Sequence, residues 1–554
     1  MISSRRQFLG STVAGGLLLS SSSACSADSK TLSLNDAHRK LMQERKQRIV
    51  IQHDVYHVMR NYTAMHQGTT APFAAFRDAV FSYVDEPGSQ IDAIWWDIGG
   101  NTVTPVYPSK VLPPVAHPLL KAWLDEGIDW VRELVNETRR REREVFWSYR
   151  ISEVDGLPEG GHEKDRMHPL KAAHPDWTIP CSFWWQGMWN LASEGLREHK
   201  VAELRELATN YDLDGIQIDY ARHMPVLPVG HQWEMREHVT EFMRMVRRML
   251  NEVAEERGRP FLLAARVPRN LEGCHVDGLD VAAWAEQNLV DILTLGSRSI
   301  DVDVEGFHEA AGEQVHLQPC VDDHHSTDGY RYQSIDFIRG VFANHWQRGA
   351  NSVVAFNWPI GPPEIAKSMG GELGSAIQGE AFREAGDPKT LEGKDKIFAI
   401  ERRGGYPWSD GYFNRNDTAL LPIDWTSGDE TIKLPIHISD APGKKSQLTL
   451  RLILFGAKED DTFVLSLNDK ELPLTVRDPD WKDAQIFSPK PQPTSGGKGN
   501  YQINPGQELL RIEYSIPSNR WKQGVNQVSI RKITEVDVAN PVQLEKVEAL
   551  LRYS

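Results

Sequence analysis

Eight short apolar runs recur between Arg48 and Phe356, each followed by a longer stretch with helical spacing, and this repeat constrains the architecture more than any other feature of the chain. The runs are Arg48–Ile51, Ala93–Trp96, Glu144–Trp147, Gly215–Ile218, Phe261–Ala264, Val290–Leu293, Val315–Gln318 and Ser352–Phe356. Such runs, rich in Val, Ile, Leu and Phe, read as buried strands, and the segments between them carry the spacing of amphipathic helices. Leu196, Val201, Leu204 and Leu207 form one helical stripe; Val239, Phe242, Met243, Val246, Met249 and Leu250 form another. Eight βα units close most simply into a (β/α)8 TIM barrel, with a doubly wound sheet as the rival architecture.

A barrel of this kind carries its chemistry at the C-terminal ends of the strands, so the polar residues just beyond each run are the site candidates. They are Asp54, Asp97, Arg150, Asp219, Arg266, Asp322 or Asp323, and Asn357 with Trp358. Charges just beyond buried strands are costly unless they pair with one another or with a ligand, so their convergence implies a polar site.

Composition narrows the ligand. The formal charge of −15 disfavours a phosphate-backbone partner, because nucleic-acid affinity needs clustered Lys and Arg. Seventeen Trp residues supply flat apolar rings with an N–H handle, which suit sugar faces as well as cores. Trp184, Trp185 and Trp189 lie in a long excursion between the third and fourth runs, where they are candidates for a stacking platform, with Trp358 closing the site. His53, His57, His162, His168, His174, His324 and His325 are spaced irregularly, and neither a metal nor a cofactor is expected. Cys181, Cys274 and Cys320 form no disulfide framework and no zinc-ligand pair.

The segment Tyr211-Asp-Leu-Asp-Gly-Ile-Gln-Ile-Asp-Tyr-Ala-Arg222 resembles the fourth-strand motif of bacterial glycosyl-hydrolase-like family 10 proteins and their barrel relatives. Phe261–Pro268 resembles the following strand and Gly349–Trp358 the last, in the same order across the barrel segment. The resemblance implies a hydrolase-like barrel acting on a poly- or oligosaccharide, with Asp219 at the position of the family's strand-end carboxylate. Cleaving a glycosidic bond needs a protonated carboxyl at the leaving oxygen and a carboxylate that attacks or stabilises the anomeric carbon. Arg222 and Arg266 favour an ionised Asp219, which suits the nucleophile or stabiliser role. Asp97, Glu153, Asp322 and Asp323 compete for the acid. The fifth strand ends in Arg266 rather than a Glu, a departure from the commonest amylase-like arrangement. Arg150 is suited to a bidentate bond with a sugar carboxylate, a sulfate or the catalytic acid, or to a structural bridge. Two cationic strand ends in an acidic chain point towards an anionic sugar. A carbohydrate-binding barrel without turnover, and a lyase on anionic polysaccharide, are the competing functions.

The amino terminus reads Ser4-Arg5-Arg6-Gln7-Phe8-Leu9-Gly10, then an apolar run from Val13 to Leu19 and a serine tract ending at Cys25. That order is a twin-arginine export signal over 1–30, implying delivery to the periplasm, cell surface or exterior, with membrane attachment through a lipidated Cys25 as an option. The barrel is expected over 31–385. From Gly386 to 554 the pattern turns to alternating strands, including Ser446–Leu454, Thr462–Leu467, Gln507–Tyr514 and Gly524–Ile530, which resemble a galactose-binding-like β-sandwich with a turn at Gly524-Val525-Asn526.

Overall fold

The computed structural model describes residues 31–54, 72–97, 106–115, 118–151, 167, 169–180, 185–220, 224–296, 299–322, 330, 333–356, 358, 374–402, 419–428, 430–483 and 509–554. Residues 1–30, with Cys25, lie outside them, as do Glu153, Cys181, Trp184, Arg222, Asp323, Asn357 and the side chains of His53 and Asp54.

Eight parallel strands close into a barrel: β1 (Ile49–Asp54), β2 (Ile91–Asp97), β3 (Glu144–Arg150), β4 (Gly215–Asp219), β5 (Leu262–Val267), β6 (Ile292–Leu295), β7 (His316–Asp322) and β8 (Val353–Phe356). Each pairs with its sequence neighbours, and β1 closes on β8 through Ile49–Val353 and Gln52–Phe356. Every run identified in the sequence is a barrel strand, and the closed order excludes the doubly wound sheet. Side chains alternate across each strand. Ile49, Ile51, Trp96, Val145, Trp147, Ile216, Ile218, Leu263 and Leu293 point outward into one core shared with the surrounding helices, whereas Val50, Ala93, Trp95, Phe146, Leu262, Ala264, Ile292, Val354 and Phe356 fill the lumen as a separate cluster.

The lumen is layered. At its base Trp95 stacks on Phe146 with ring centres 4.3 Å apart, and a Cβ on Gly215 would come within 2.3 Å of Phe146 Cζ, so the glycine of the Asp-Gly pair makes room for that ring. Helix α1 (Asp36–Glu44), capped by the Asn35 side chain, covers this end: Met42 joins the lumen cluster, and Arg45 donates to both oxygens of Glu144 at 2.8 Å. Above the base runs a hydrogen-bonded belt. Gln52 Nε2 donates to Ser148 Oγ (2.9 Å), Ser148 to Gln217 Oε1 (2.8 Å), Gln217 and Gln318 to Thr294 Oγ1 (2.8 and 2.7 Å), and Ser352 to Gln318 Oε1 (3.1 Å). Each of these six buried side chains makes at least one hydrogen bond within the belt, which offsets the cost of placing them in the lumen.

After the barrel come two facing antiparallel sheets. One carries β9 (Lys396–Ala399), β11 (Ser446–Phe455), β13 (Leu474–Trp481), β14 (Leu509–Ile516) and β16 (Gln543–Tyr553) in the order β9-β16-β11-β14-β13; the other runs β10 (Thr431–Ile438), β15 (Gly524–Lys532), β12 (Phe463–Leu467). Their inward residues form one core, from Leu434 and Ile436 to Leu450, Leu465, Ile512, Val528 and Val547. Gly524, Val525 and Asn526, expected as a turn before the strand, are instead the first residues of β15, opposite Ile438, His437 and Ile436, with Gly524 at φ +90°. The sandwich docks on helix α2 (Ile335–Gln347) of the barrel, where Gly340 allows close approach: a Cβ there would meet Ile397 O at 2.0 Å.

His345 of α2 is buried in this region, and burial, aided by Arg348 and His437 and opposed by Asp301, pushes its pKa down to about 3. The unfolded chain, with an ordinary value of about 6.5, binds the proton first, so stability falls as pH drops below about 6.5, by up to about 1.4 kcal/mol per pH unit from this group. Urea denaturation at pH 7 and pH 5 should show that loss, and His345→Leu should reduce it; an equal loss in the variant would contradict the assignment.

Candidate active site

The top row of the lumen is set by the same two-residue period that builds the layers below. Gln52, Trp95, Ser148, Gln217 and Ala264 are followed two residues later by Asp54, Asp97, Arg150, Asp219 and Arg266, and on β7 Gln318 is followed by Cys320 and Asp322. Strand register places the charged positions side by side: Asp54 opposite Asp97, Arg150 opposite Asp219, and Asp219 opposite Arg266. Asp97, Arg150, Asp219, Arg266 and Asp322 are all buried. The sequence candidates at five strand ends therefore converge on one mouth; the backbone of Asp54 takes its place in the row.

Two ion pairs organise the row. Arg266 Nε and Nη2 donate to Asp219 Oδ1 and Oδ2 at 2.9 and 2.8 Å, a bidentate fork with its guanidinium 3.9 Å above the Phe356 ring. Arg150 Nε lies 3.0 Å from Asp97 Oδ1 and donates to Oδ2 at 3.2 Å. Both guanidiniums thus meet carboxylates of the same row, and the described row holds three carboxylates against two cations.

Beneath Asp322 on the same strand, Cys320 is the row's unforeseen member. Burial pushes its thiol up to about 12, opposed by Arg266 and reinforced by Asp322 and Asp219, so Asp219, Arg266 and Asp322 all act on one lumen atom. Cys320 belongs to the apolar lumen cluster with Val354 and Phe356. The belt glutamines and Thr294 were also unforeseen, although a polar residue at every second position of otherwise apolar strands was their signal.

The tryptophans divide. Trp185 stands 51% exposed on the excursion between β3 and β4. Trp189, expected to help stack sugar, is buried instead, because its hairpin pairing with Thr178 turns the ring into the core beside Lys171 and Lys200. Trp358 is likewise core: its Nε1 donates to Val321 O at 3.0 Å and its ring packs on Phe342 and Phe382. Among the described residues no group of three or more His, Cys, Asp or Glu is arranged to hold a metal, and no helix is long and apolar enough to cross a membrane.

No family model matches the chain, and no curated protein matches its sequence. Solved structures with a similar trace include an α-L-fucosidase of family GH29 from Bacteroides thetaiotaomicron (11% identity over 91% of this chain and 97% of that one, TM-score 0.35). A noncanonic maltogenic α-amylase from Thermotoga neapolitana shares 11% identity over 87% and 98% of the two chains, with a TM-score of 0.36. A glycoside hydrolase domain from Bordetella bronchiseptica shares 9% over 62% and 99%, with a TM-score of 0.39. At such distances they carry no information on substrate or residue roles, which rest on the geometry above.

Removing one partner of a buried ion pair leaves a desolvated charge. Arg266→Met should lower unfolding free energy by about 3–5 kcal/mol, and adding Asp219→Leu should restore most of it. A double-mutant cycle in urea reads this coupling; additive losses would show that the pair is not an energetic unit.

Proposed function

We propose that the chain is a glycoside hydrolase acting on a neutral poly- or oligosaccharide at the C-terminal mouth of the barrel. One observation carries the reading: three buried carboxylates, Asp97, Asp219 and Asp322, stand at strand ends of a parallel barrel, in the row where such folds do their chemistry. Burying that many charges has a desolvation cost that a structural ring alone does not require. The resemblance of the Tyr211–Arg222 segment to a hydrolase-like family supports the same class, and the amino-terminal twin-arginine pattern, with Cys25 as an acylation site, supports export to where polysaccharides are met.

Asp97 accepts from Arg150, and Asp219 accepts through both oxygens from Arg266, so each carboxylate is held in one orientation. Asp219 is then the carboxylate that attacks or stabilises the anomeric carbon. The acid that protonates the leaving oxygen is assigned to Asp322, three strands round the barrel from Asp219. Arg266 fixes the orientation of Asp219 through both of its oxygens, and the belt of Gln217, Thr294 and Gln318 keeps the strand ends in register from below. The same ion pairs would also suit a barrel that binds glycans without cleaving them, and turnover separates the two.

Reducing-sugar release from neutral and anionic polysaccharides tests the reading. The mature chain should release sugar from neutral substrates. Asp219→Asn should lower the rate by at least about 10³-fold while retaining a cooperative melt, about 4 kcal/mol of lost transition-state stabilisation. Binding without release by the parent protein would establish the non-catalytic barrel instead.

A further inference from the structure

A large aromatic side chain half exposed to water usually sits on a loop free to turn it inward, yet Trp185 stands next to a rigid mount. Two residues on, Gly187 adopts φ +74°, and a Cβ there would meet Ile179 O at 2.6 Å, so the turn closes tightly on the hairpin strand Thr178–Ile179. Lys171 Nζ donates to Gly187 O at 2.6 Å. The ammoniums of Lys171 and Lys200 lie 4.8 and 5.3 Å from the ring centre of Trp189, and all three side chains are buried. Lys200 also lies 5.3 Å from the Tyr149 ring, and Tyr149 donates to Glu203. Tyr149 immediately precedes Arg150, and Leu191 N donates to Val226 O, seven residues beyond the end of β4. The mount is therefore anchored to the end of β3, one residue from Arg150, and to the segment that follows β4.

Both buried ammoniums have polar partners besides the indole, Lys200 lying 3.9 Å from Glu203 Oε2 and Lys171 donating to Gly187 O, so the stack is held from both sides of the ring. Cation–π attraction strengthens when the partners are desolvated, so the stack resists turning, and it fixes the backbone from Gly187 to Trp189. We propose that Trp185 is a stacking platform for the apolar face of a neutral pyranose at the β3–β4 side of the mouth, and that Lys171 and Lys200 are positioning residues that hold it through Trp189. This deepens the carbohydrate reading of the mouth and rests on it for the ligand's class, though not on turnover. An aromatic face held in advance binds a sugar ring with little further loss of side-chain entropy.

Rapid-mixing tryptophan emission tests the platform before turnover intervenes, using the full mature chain with maltohexaose, cellohexaose, xylohexaose and N-acetylchitohexaose as probes. At least one probe should change the emission, and Trp185→Ala should abolish that change and raise Kd about tenfold. Trp185→Phe should restore part of the affinity. Lys171→Met, with its melt close to the parent's, should raise Kd severalfold while the emission change persists, and Lys171→Arg should recover some of it. No response to any probe, or a response and Kd unchanged by Trp185→Ala, would overturn the platform; an unchanged Kd in a well-folded Lys171→Met would overturn the mount. Saccharide release by a protein whose binding ignores Trp185 would sink this proposal and leave the hydrolase reading standing. Binding that depends on Trp185 without release would do the reverse.

Discussion

The bidentate pair between Arg266 and Asp219 is the contact on which the mouth of this barrel depends. Neither group is stable alone in a lumen closed below by Phe146, Trp95 and the glutamine belt, and each satisfies the other in the one geometry that a guanidinium and a carboxylate share. Because β4 and β5 are adjacent and in register, the pair also locks two strand ends. Arg150 repeats the device towards Asp97 one strand away on the other side of Asp219. An alternating row of charge results, and Asp219 sits within it with a fixed orientation.

Support for that row comes from beneath. The apolar base, plugged by α1 through Met42 and Arg45, excludes water from one end, and the belt from Gln52 to Ser352 ties six positions around the barrel through side chains. A polar layer between an apolar base and a charged top lets the lumen pass from apolar to charged without an abrupt change of environment. The sandwich is joined to the barrel by Gly340 of α2 against Ile397 and, two residues past the end of β5, by the Arg269–Glu401 contact.

Much of this was legible in the sequence because strand ends declare themselves: Asp219 follows Gly-Ile-Gln-Ile and Arg266 follows Leu-Leu-Ala-Ala, and in each case the charge ends a buried run. Who pairs with whom was legible only in part, since register between strands set nearly fifty residues apart is a tertiary property: Arg266 was read as a neighbour of Asp219, whereas Arg150 was left between a sugar anion, the catalytic acid and a structural bridge, and it pairs with Asp97. Trp189 and Trp358 misled for a related reason, as a tryptophan's burial depends on the element packed over it. In the sandwich, β16 runs Gln-Leu-Glu-Lys-Val-Glu-Ala-Leu-Leu-Arg-Tyr, a composition of helix formers, and pairing with β9 and β11 on its two sides overrides that propensity.

Covalent capture tests the mouth most directly. The mature chain would be incubated with epoxyalkyl glycosides of glucose, galactose, xylose and N-acetylglucosamine, then digested and mapped by mass spectrometry. An ester on Asp219, or on Asp322 or Asp97, suppressed by the matching free oligosaccharide, is the expected result. Labelling confined to other parts of the chain, with those three carboxylates unmodified, would contradict the placement of a saccharide site at the strand ends.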